Sequence, residues 1–318
     1  MNKTIKFINA YIKSMRPYTF FITGIAGILG LLLIENNGEI WRNIIILILL
    51  FTSYGINQVI NDFLGIKEDK YNAPLRPIVS GELNKRAAVL TTIFLFIIGT
   101  VATYFLNPYA LIIYFLAYLM NIIYEWMKSI PFLGNIWFGL MIGLAPIYGA
   151  LASSNLSLYD IINYPNLIYI FILVVTSSSA LCYYTYFKDY EGDKKVGKNT
   201  LIVFFGPQKV RYLNLPTTIL PFFLTWVFIQ FGFLSFRFNY IFLFFISVAF
   251  LFSLYAGFFC FKKLDKAKKA LELNFECTSL FLSSLLILIN PIIGIFLFIL
   301  SFIFIKIFYY LMYKKDFY

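Results

Sequence analysis

Four aspartates in two short polar segments are the residues of this sequence best suited to chemistry. Asp62 and Asp69 lie at the end of one long apolar run, and Asp189 and Asp193 lie at the end of another. If each segment is helical, the spacing brings the two members of each pair onto one face. The chain contains no histidine, which excludes imidazole bases and histidine-containing zinc sites. Carboxylate clusters of this kind suit Mg²⁺, which takes one or two carboxylates together with substrate phosphates.

Basic and amide side chains accompany these aspartates and could bind an anion held by the metal. The candidate ligands of a diphosphate are Asn57, Asn61, Lys70, Arg76, Lys188 and Lys194. Polar side chains near the end of an apolar run are costly unless they are satisfied. We therefore expect Asn61 to orient Asp62 or to contact the metal or the diphosphate. The two segments together predict a metal–diphosphate site at the mouth of an apolar bundle of helices.

The composition indicates which elements position the two segments. Apolar residues make up 61% of the chain and charged residues 13%, against roughly half and a quarter in soluble domains. A membrane-crossing helix needs about 20 mostly apolar residues. Such runs fall near 18–34, 42–64, 87–105, 108–127, 132–153, 165–187, 212–234 and 238–261. A last run, 277–312, is too long for one crossing and is broken at Asn290-Pro291. The sequence predicts an all-α polytopic membrane protein with nine spans, or ten if the last run forms two.

The basic residues indicate the orientation of these spans. If the spans alternate in direction, most of the 26 lysines and arginines fall on the side of the N-terminus and of both aspartate segments. The positive-inside rule then places that side in the cytoplasm. This topology, together with anionic lipid headgroups, explains the net charge of +11, so we do not expect nucleic acid as a partner. Four crossings separate the aspartate segments, so both emerge on the same side and can meet over one cavity.

Ordered motifs in the chain resemble those of the UbiA superfamily of intramembrane prenyltransferases. That family has N-D-x-x-D-x-x-x-D with a tail ending R-P-x-x-S-G, and later D-x-x-D-x-x-x-D with G-x-x-T. The matching residues here are Asn61, Asp62, Asp69, Asn72, Pro74, Arg76, Pro77, Ser80, Gly81, Asp189, Asp193, Gly197 and Thr200. Between the two signatures, Tyr124 and Lys128 match Y-x-x-x-K, and Gly134 and Asn135 follow them as in the family. The resemblance covers essentially the whole chain.

Two positions depart from the family pattern. Gly65 and Tyr186 stand where the family has aspartates, so four aspartates remain where the fullest set has six. Glu68 and Glu191 are nearby carboxylates that could compensate for the missing aspartates, but neither is in register with one. Two metal ions could still be shared through the diphosphate itself.

The resemblance implies one domain, residues 1–318, whose helices surround an apolar cavity capped by the aspartate segments. It also implies Mg²⁺-dependent transfer of an isoprenyl group from a polyprenyl diphosphate to a small acceptor, often an aromatic compound or another lipid precursor. The four aspartates would hold the metal, Lys128 would contact the diphosphate, and Tyr124 would position it or the acceptor. A terpene cyclase, a membrane transporter and a non-catalytic binding protein are the alternatives. Transporters place charged residues at the bilayer midplane, whereas these lie at the ends of spans, which favours the enzyme.

Overall fold

A computed structural model describes residues 3–34, 39–236, 239–262 and 266–313, and within them every regular element is a helix. Three short 3₁₀ turns accompany the α-helices. The α-helices are α1 (Lys3–Met15), α2 (Phe20–Leu33), α3 (Ile40–Leu64), α4 (Ile66–Asn72), α5 (Pro77–Ser80), α6 (Lys85–Leu106), α7 (Pro108–Met127), α8 (Leu133–Ala152), α9 (Pro165–Lys195), α10 (Leu201–Phe205), α11 (Pro207–Val210), α12 (Asn214–Gln230), α13 (Tyr240–Lys262), α14 (Ala267–Ile289) and α15 (Pro291–Tyr313). The predicted all-α fold is confirmed.

Ten segments of the described chain are long and apolar enough to cross a membrane. The first joins α1 and α2 through the 3₁₀ turn Pro17–Thr19. The long C-terminal run forms two helices, α14 and α15, because Pro291 cannot continue the preceding helix. Asn290 is extended between them, and its side chain accepts a hydrogen bond from the Ile293 amide (3.1 Å). The structure therefore agrees with the ten-span alternative rather than with nine, and the chain is a multi-pass membrane protein.

The first aspartate segment is interrupted, whereas the sequence suggested a single continuous helix. Only Gly65 separates α3 from α4, with backbone angles (φ −89°, ψ 16°) outside the helical region. Hydrogen bonds from the Gly65 amide to Asn61 O (2.8 Å) and from the Asp69 amide to Gly65 O (3.0 Å) bridge the break. Because the helical direction is largely kept, Asp62 and Asp69 remain on one side, where both contact Arg76.

Helices α2, α8 and α14 form the centre of the bundle. In the apolar stretches of their spans, 78%, 72% and 89% of the residues are buried, against 22% for α6 and α13. α2 packs on both α8 and α14, and α9 also contacts all three. The outer helices present their apolar side chains to the surrounding lipid, as a membrane protein requires. The inner helices therefore determine the shape of any internal cavity.

α2 and α8 approach one another at glycines. A Cβ placed on Gly149 would lie 2.1 Å from Gly27 O, and one on Gly30 would lie 1.8 Å from Pro146 O. These obstacles are backbone atoms of the facing helix, so a side chain could be accommodated only if the helices separated. Membrane helices commonly pack through small residues in this way.

We expect Gly149→Ala to destabilise the protein by about 1–3 kcal/mol, since overpacking forces the two helices apart. The measurement is thermal unfolding of the detergent-solubilised protein. Gly257→Ala is the matched control, because a Cβ there would make only ordinary contacts at 3.4 Å with Thr218 Oγ1 and Tyr184 Oη. Equal melting temperatures for the two variants would contradict the close approach of α2 and α8.

Candidate active site

A cavity opens where α3, α4, α7 and α9 end and α14 begins. Its charged and amide lining comes from Arg16, Gln58, Asn61, Glu68, Asp69, Arg76, Glu125, Lys128, Lys188 and Asp189. Its aromatic and apolar lining comes from Tyr18, Tyr54, Tyr124, Phe138, Cys182, Leu271 and Phe275. A compound with a charged head and an apolar tail would find complementary surfaces in such a cavity.

Arginines bind the first pair of aspartates. Asp62 is completely buried and forms ion pairs with Arg16 and with Arg76, whose Nη1 lies 3.4 Å from Asp62 Oδ1. Arg76 also forms an ion pair with Asp69, so it connects the two carboxylates. Burial raises the pKa of Asp69 above its ordinary value, and the positive charge of Arg76 opposes that rise. This half of the site therefore contains two carboxylates and two guanidinium groups.

Lysines bind the second pair of aspartates, on the last turns of α9. Asp193 Oδ1 lies 3.3 Å from Lys128 Nζ, and Asp189 Oδ1 lies 2.9 Å from Lys188 Nζ. Burial lowers the pKa of Lys128, but the charges of Asp193 and Asp189 outweigh it and raise that pKa above its ordinary value. Lys128 therefore carries a positive charge at neutral pH and can bind an anion.

The two aspartate segments meet. Asn72, at the end of α4, accepts a hydrogen bond from the Gly192 amide of α9 (2.8 Å). Lys128 lies between the segments, 4.0 Å from Glu68 Oε1 and 3.3 Å from Asp193 Oδ1. The parity of the spans predicted this proximity, and it brings one aspartate of each pair, Asp69 and Asp189, into the lining of one cavity.

The oxygen atoms of the site fit Mg²⁺ bound together with a phosphate. In residues 3–34, 39–236, 239–262 and 266–313, no three carboxylate or thiol groups converge to hold an ion alone. Among the described residues, buried oxygens of the site nevertheless lack a hydrogen-bond partner, including Asn61 Oδ1, Asp62 Oδ2 and Asp193 Oδ2. Mg²⁺ prefers oxygen ligands, and one or two protein carboxylates suffice when a substrate phosphate supplies the rest.

Five residues proposed from the sequence do not line this cavity. Asp62 and Asp193 are completely buried, although their partners Arg76 and Lys128 belong to the lining. Lys70 and Lys194 are exposed, and Lys194 lies over the ring of Tyr190 (5.6 Å). Asn57 lines a neighbouring cavity between α3, α7 and α8. That cavity is largely apolar and shares Tyr54 and Gln58 with the first, so the two adjoin.

Tyr124 and Tyr186 belong to the aromatic part of the site. Their hydroxyl oxygens are 3.4 Å apart, and the Tyr124 hydroxyl lies 3.2 Å from Cys182 Sγ. A Cβ on Gly134 would lie 2.4 Å from the Tyr186 hydroxyl, so the glycine makes room for this ring. Tyr186 therefore packs behind Tyr124, outside the cavity lining, at a position where the family signature has an aspartate.

Sequence reasoning named Glu68 only as a nearby carboxylate, and it did not select three other charged residues that the structure brings to the site: Arg16, Glu125 and Lys198. Lys198 forms ion pairs with both Glu68 and Glu125. Glu125 could have been noticed as an acidic residue in the last turn of an apolar span. Arg16 lies beside Pro17, ahead of the first apolar run. Nothing local distinguishes Lys198 among the basic residues that follow α9.

The chain is similar to known membrane enzymes. A model of the UbiA prenyltransferase family matches residues 20–285, which ends before α15. Digeranylgeranylglyceryl phosphate synthase from Pyrococcus horikoshii is 30% identical over 202 residues, covering 63% of this chain and 70% of that protein. The same enzyme from Thermococcus kodakarensis is 27% identical over 216 residues, covering 64% and 72%.

Solved structures share the fold at lower sequence identity. A UbiA homologue from Aeropyrum pernix superposes with a TM-score of 0.70 at 17% identity, covering 85% of this chain and 97% of the other. A UbiA homologue from Archaeoglobus fulgidus bound to DMAPP and Mg²⁺ gives a TM-score of 0.64 at 18% identity, covering 88% and 99%.

Proposed function

The chain belongs to the UbiA prenyltransferase family, and we propose that it transfers an isoprenyl group from a polyprenyl diphosphate to a glyceryl phosphate lipid, using Mg²⁺. The observation that carries this proposal is the meeting of two buried aspartate pairs beside one cavity with an aromatic wall, with Asp69 and Asp189 in the cavity lining. The cations beside those carboxylates are Arg16, Arg76, Lys128 and Lys188. This arrangement supports the binding of a cation and a diphosphate together.

The charged residues divide the binding between them. Asp62, Asp69, Asp189 and Asp193 would hold the cation, and Mg²⁺, when bound, neutralises the departing diphosphate. Arg76 and Lys128 would bind phosphate oxygens through charge-assisted hydrogen bonds. Asn61, with a free buried amide oxygen beside Asp62, would orient that carboxylate or contact the cation.

The aromatic residues would protect the reacting carbon. Loss of the diphosphate leaves an allylic cation, which water would destroy, so the site must exclude water. Tyr54 and Tyr124 both pack on Phe138, with ring centroids 6.2 and 5.7 Å away. The faces of such rings stabilise a desolvated cation by about 2 kcal/mol. The adjoining apolar cavity would take the isoprenyl tail.

The proposed acceptor and the proposed orientation of the protein in the membrane are supported by different observations. The names of the Pyrococcus and Thermococcus relatives support a glyceryl phosphate lipid, here geranylgeranylglyceryl phosphate, over an aromatic acceptor. The basic residues on the side of the site support a cytoplasmic position for it and for the N-terminus. The phosphorylated head of the acceptor would lie in water and its tail in the membrane. The acceptor could then enter the cavity at the membrane surface.

The test uses the full chain in lipid nanodiscs with Mg²⁺ and geranylgeranyl diphosphate. Diphosphate release is expected only when geranylgeranylglyceryl phosphate is added, and EDTA should abolish it until Mg²⁺ is restored. Aromatic acceptors, offered in parallel, should give no product. Transfer to an aromatic acceptor alone would contradict the proposed acceptor, and hydrocarbon release without any acceptor would instead identify a cyclase. Unchanged turnover in EDTA would contradict the metal assignment.

A further inference from the structure

Glu68 is a buried carboxylate that belongs to neither aspartate pair, and no role has yet been assigned to it. It lies on α4 with 3% of its surface exposed and lines the cavity beside Asp69 and Lys128. In the signature that this segment matches, it falls on an unspecified position. Burying a carboxylate is costly unless it is paired or binds a cation, so its place in the cavity needs an explanation.

The carboxylate of Glu68 fills the space beside Gly65. A Cβ placed on Gly65 would lie 3.4 Å from Glu68 Oε1, an ordinary contact distance. A side chain at position 65, three residues after Asp62, would project on the helix face that carries Asp62. Glu68 therefore places a carboxylate oxygen beside the position from which a side chain of residue 65 would start.

The neighbours of Glu68 place it between the two aspartate segments. It forms an ion pair with Lys198, and its Oε1 lies 4.0 Å from Lys128 Nζ. The same ammonium group lies 3.3 Å from Asp193 Oδ1. Glu68 and Asp193 thus both lie close to the ammonium group of Lys128. A metal–diphosphate complex that bridges the two aspartate segments has to bind there.

A simpler role for these contacts is to tether the turn after α9. Lys198 also pairs with Glu125 on α7, whose side chain is 19% exposed against 5% for Glu68. A carboxylate at the rim is sufficient for a tether, since partly exposed ion pairs do not require the desolvation of a buried charge. The two carboxylates that share Lys198 therefore differ in their surroundings, because Glu68 is the more deeply buried and its Oε1 lies 4.0 Å from Lys128 Nζ.

We propose that Glu68 supplies the carboxylate that position 65 lacks and helps to hold the divalent cation with the diphosphate. This inference rests on the proposed function. Phosphate oxygens entering the cavity would give Lys128 and Lys198 new anionic partners and leave Glu68 free to bind the cation. The site would then use five carboxylates, with Glu68 joining the two pairs.

Mn²⁺ binding by the full-length protein, measured by electron paramagnetic resonance with inorganic pyrophosphate present, separates the two roles. Glu68→Gln keeps the shape of the side chain and is expected to weaken Mn²⁺ binding about tenfold. Glu191→Gln neutralises an exposed carboxylate on α9 that does not line the cavity, and it should leave Mn²⁺ affinity unchanged. Thermal unfolding of both variants checks that each is folded.

Two further variants make the outcome decisive. Gly65→Asp added to Glu68→Gln should restore most of the Mn²⁺ affinity, since Gly65 has a negative φ that other residues can adopt. Equal affinities in Glu68→Gln and Glu191→Gln, or no recovery in the double variant, would overturn the role of Glu68. Asp62→Asn reports on the proposed function itself, which fails if this variant binds Mn²⁺ as tightly as the unaltered protein.

Discussion

Replacing Asp193 by asparagine is expected to lower kcat/KM for isoprenyl transfer by about 10²- to 10³-fold, the usual cost of removing one preorganised electrostatic group. Asp193 is completely buried, with one oxygen beside Lys128 and the other without a hydrogen-bond partner among the described residues. Asparagine keeps the volume and removes the charge that would hold the cation. The measurement is the initial rate of product formation in nanodiscs over a range of Mg²⁺ concentrations.

Glu191→Gln is the matched control for this prediction. Glu191 lies two residues earlier on α9 and is exposed, so its neutralisation should leave the rate unchanged. A higher Mg²⁺ concentration should partly restore the rate of Asp193→Asn, because the lost carboxylate contributes to binding the cation. Equal rates for the two variants would show that Asp193 serves only to pair with Lys128 in the fold.

The positions of the spans could be predicted because lipid imposes a simple rule on the chain. A segment in the hydrocarbon must satisfy its backbone internally, so long apolar runs become helices. The division of the last run followed from Pro291, which cannot donate a hydrogen bond within a helix. The interruption at Gly65 could not be predicted, because a lone glycine in an otherwise helical pattern is often tolerated.

The meeting of the aspartate segments could also be predicted, since an even number of crossings returns the chain to the same side. The contacts that complete the site could not. Lys198 reaches Glu68 and Glu125 across 130 and 73 residues of sequence, and no local pattern encodes such pairs. The sequence predicted both Lys70 and Arg76 as ligands of the diphosphate. In the structure only Arg76 lines the cavity, because α4 ends at Asn72 and the chain then turns, whereas Lys70 is exposed.

Replacing Arg76 by glutamine is expected to reduce both activity and stability. Arg76 forms an ion pair with Asp69 and lies 3.4 Å from Asp62, and both carboxylates are buried. Without the guanidinium group their negative charges are poorly compensated, and breaking a buried pair costs about 3–5 kcal/mol. A diphosphate also loses a donor able to form two parallel hydrogen bonds. We expect kcat/KM to fall about 10²-fold, measured as above, with a lower melting temperature in detergent.

Two companion variants distinguish a specific role of Arg76 from general positive charge. Lys70→Gln, in the same segment but exposed, should change neither rate nor melting temperature. Arg76→Lys should recover more of the stability than of the activity, since an ammonium group compensates the carboxylates but cannot present two donors in a fixed fork. Lys70→Gln could instead slow transfer as much as Arg76→Gln. The diphosphate would then be attracted by the summed charge of the segment, and the specific contact with the Arg76 guanidinium group would be ruled out.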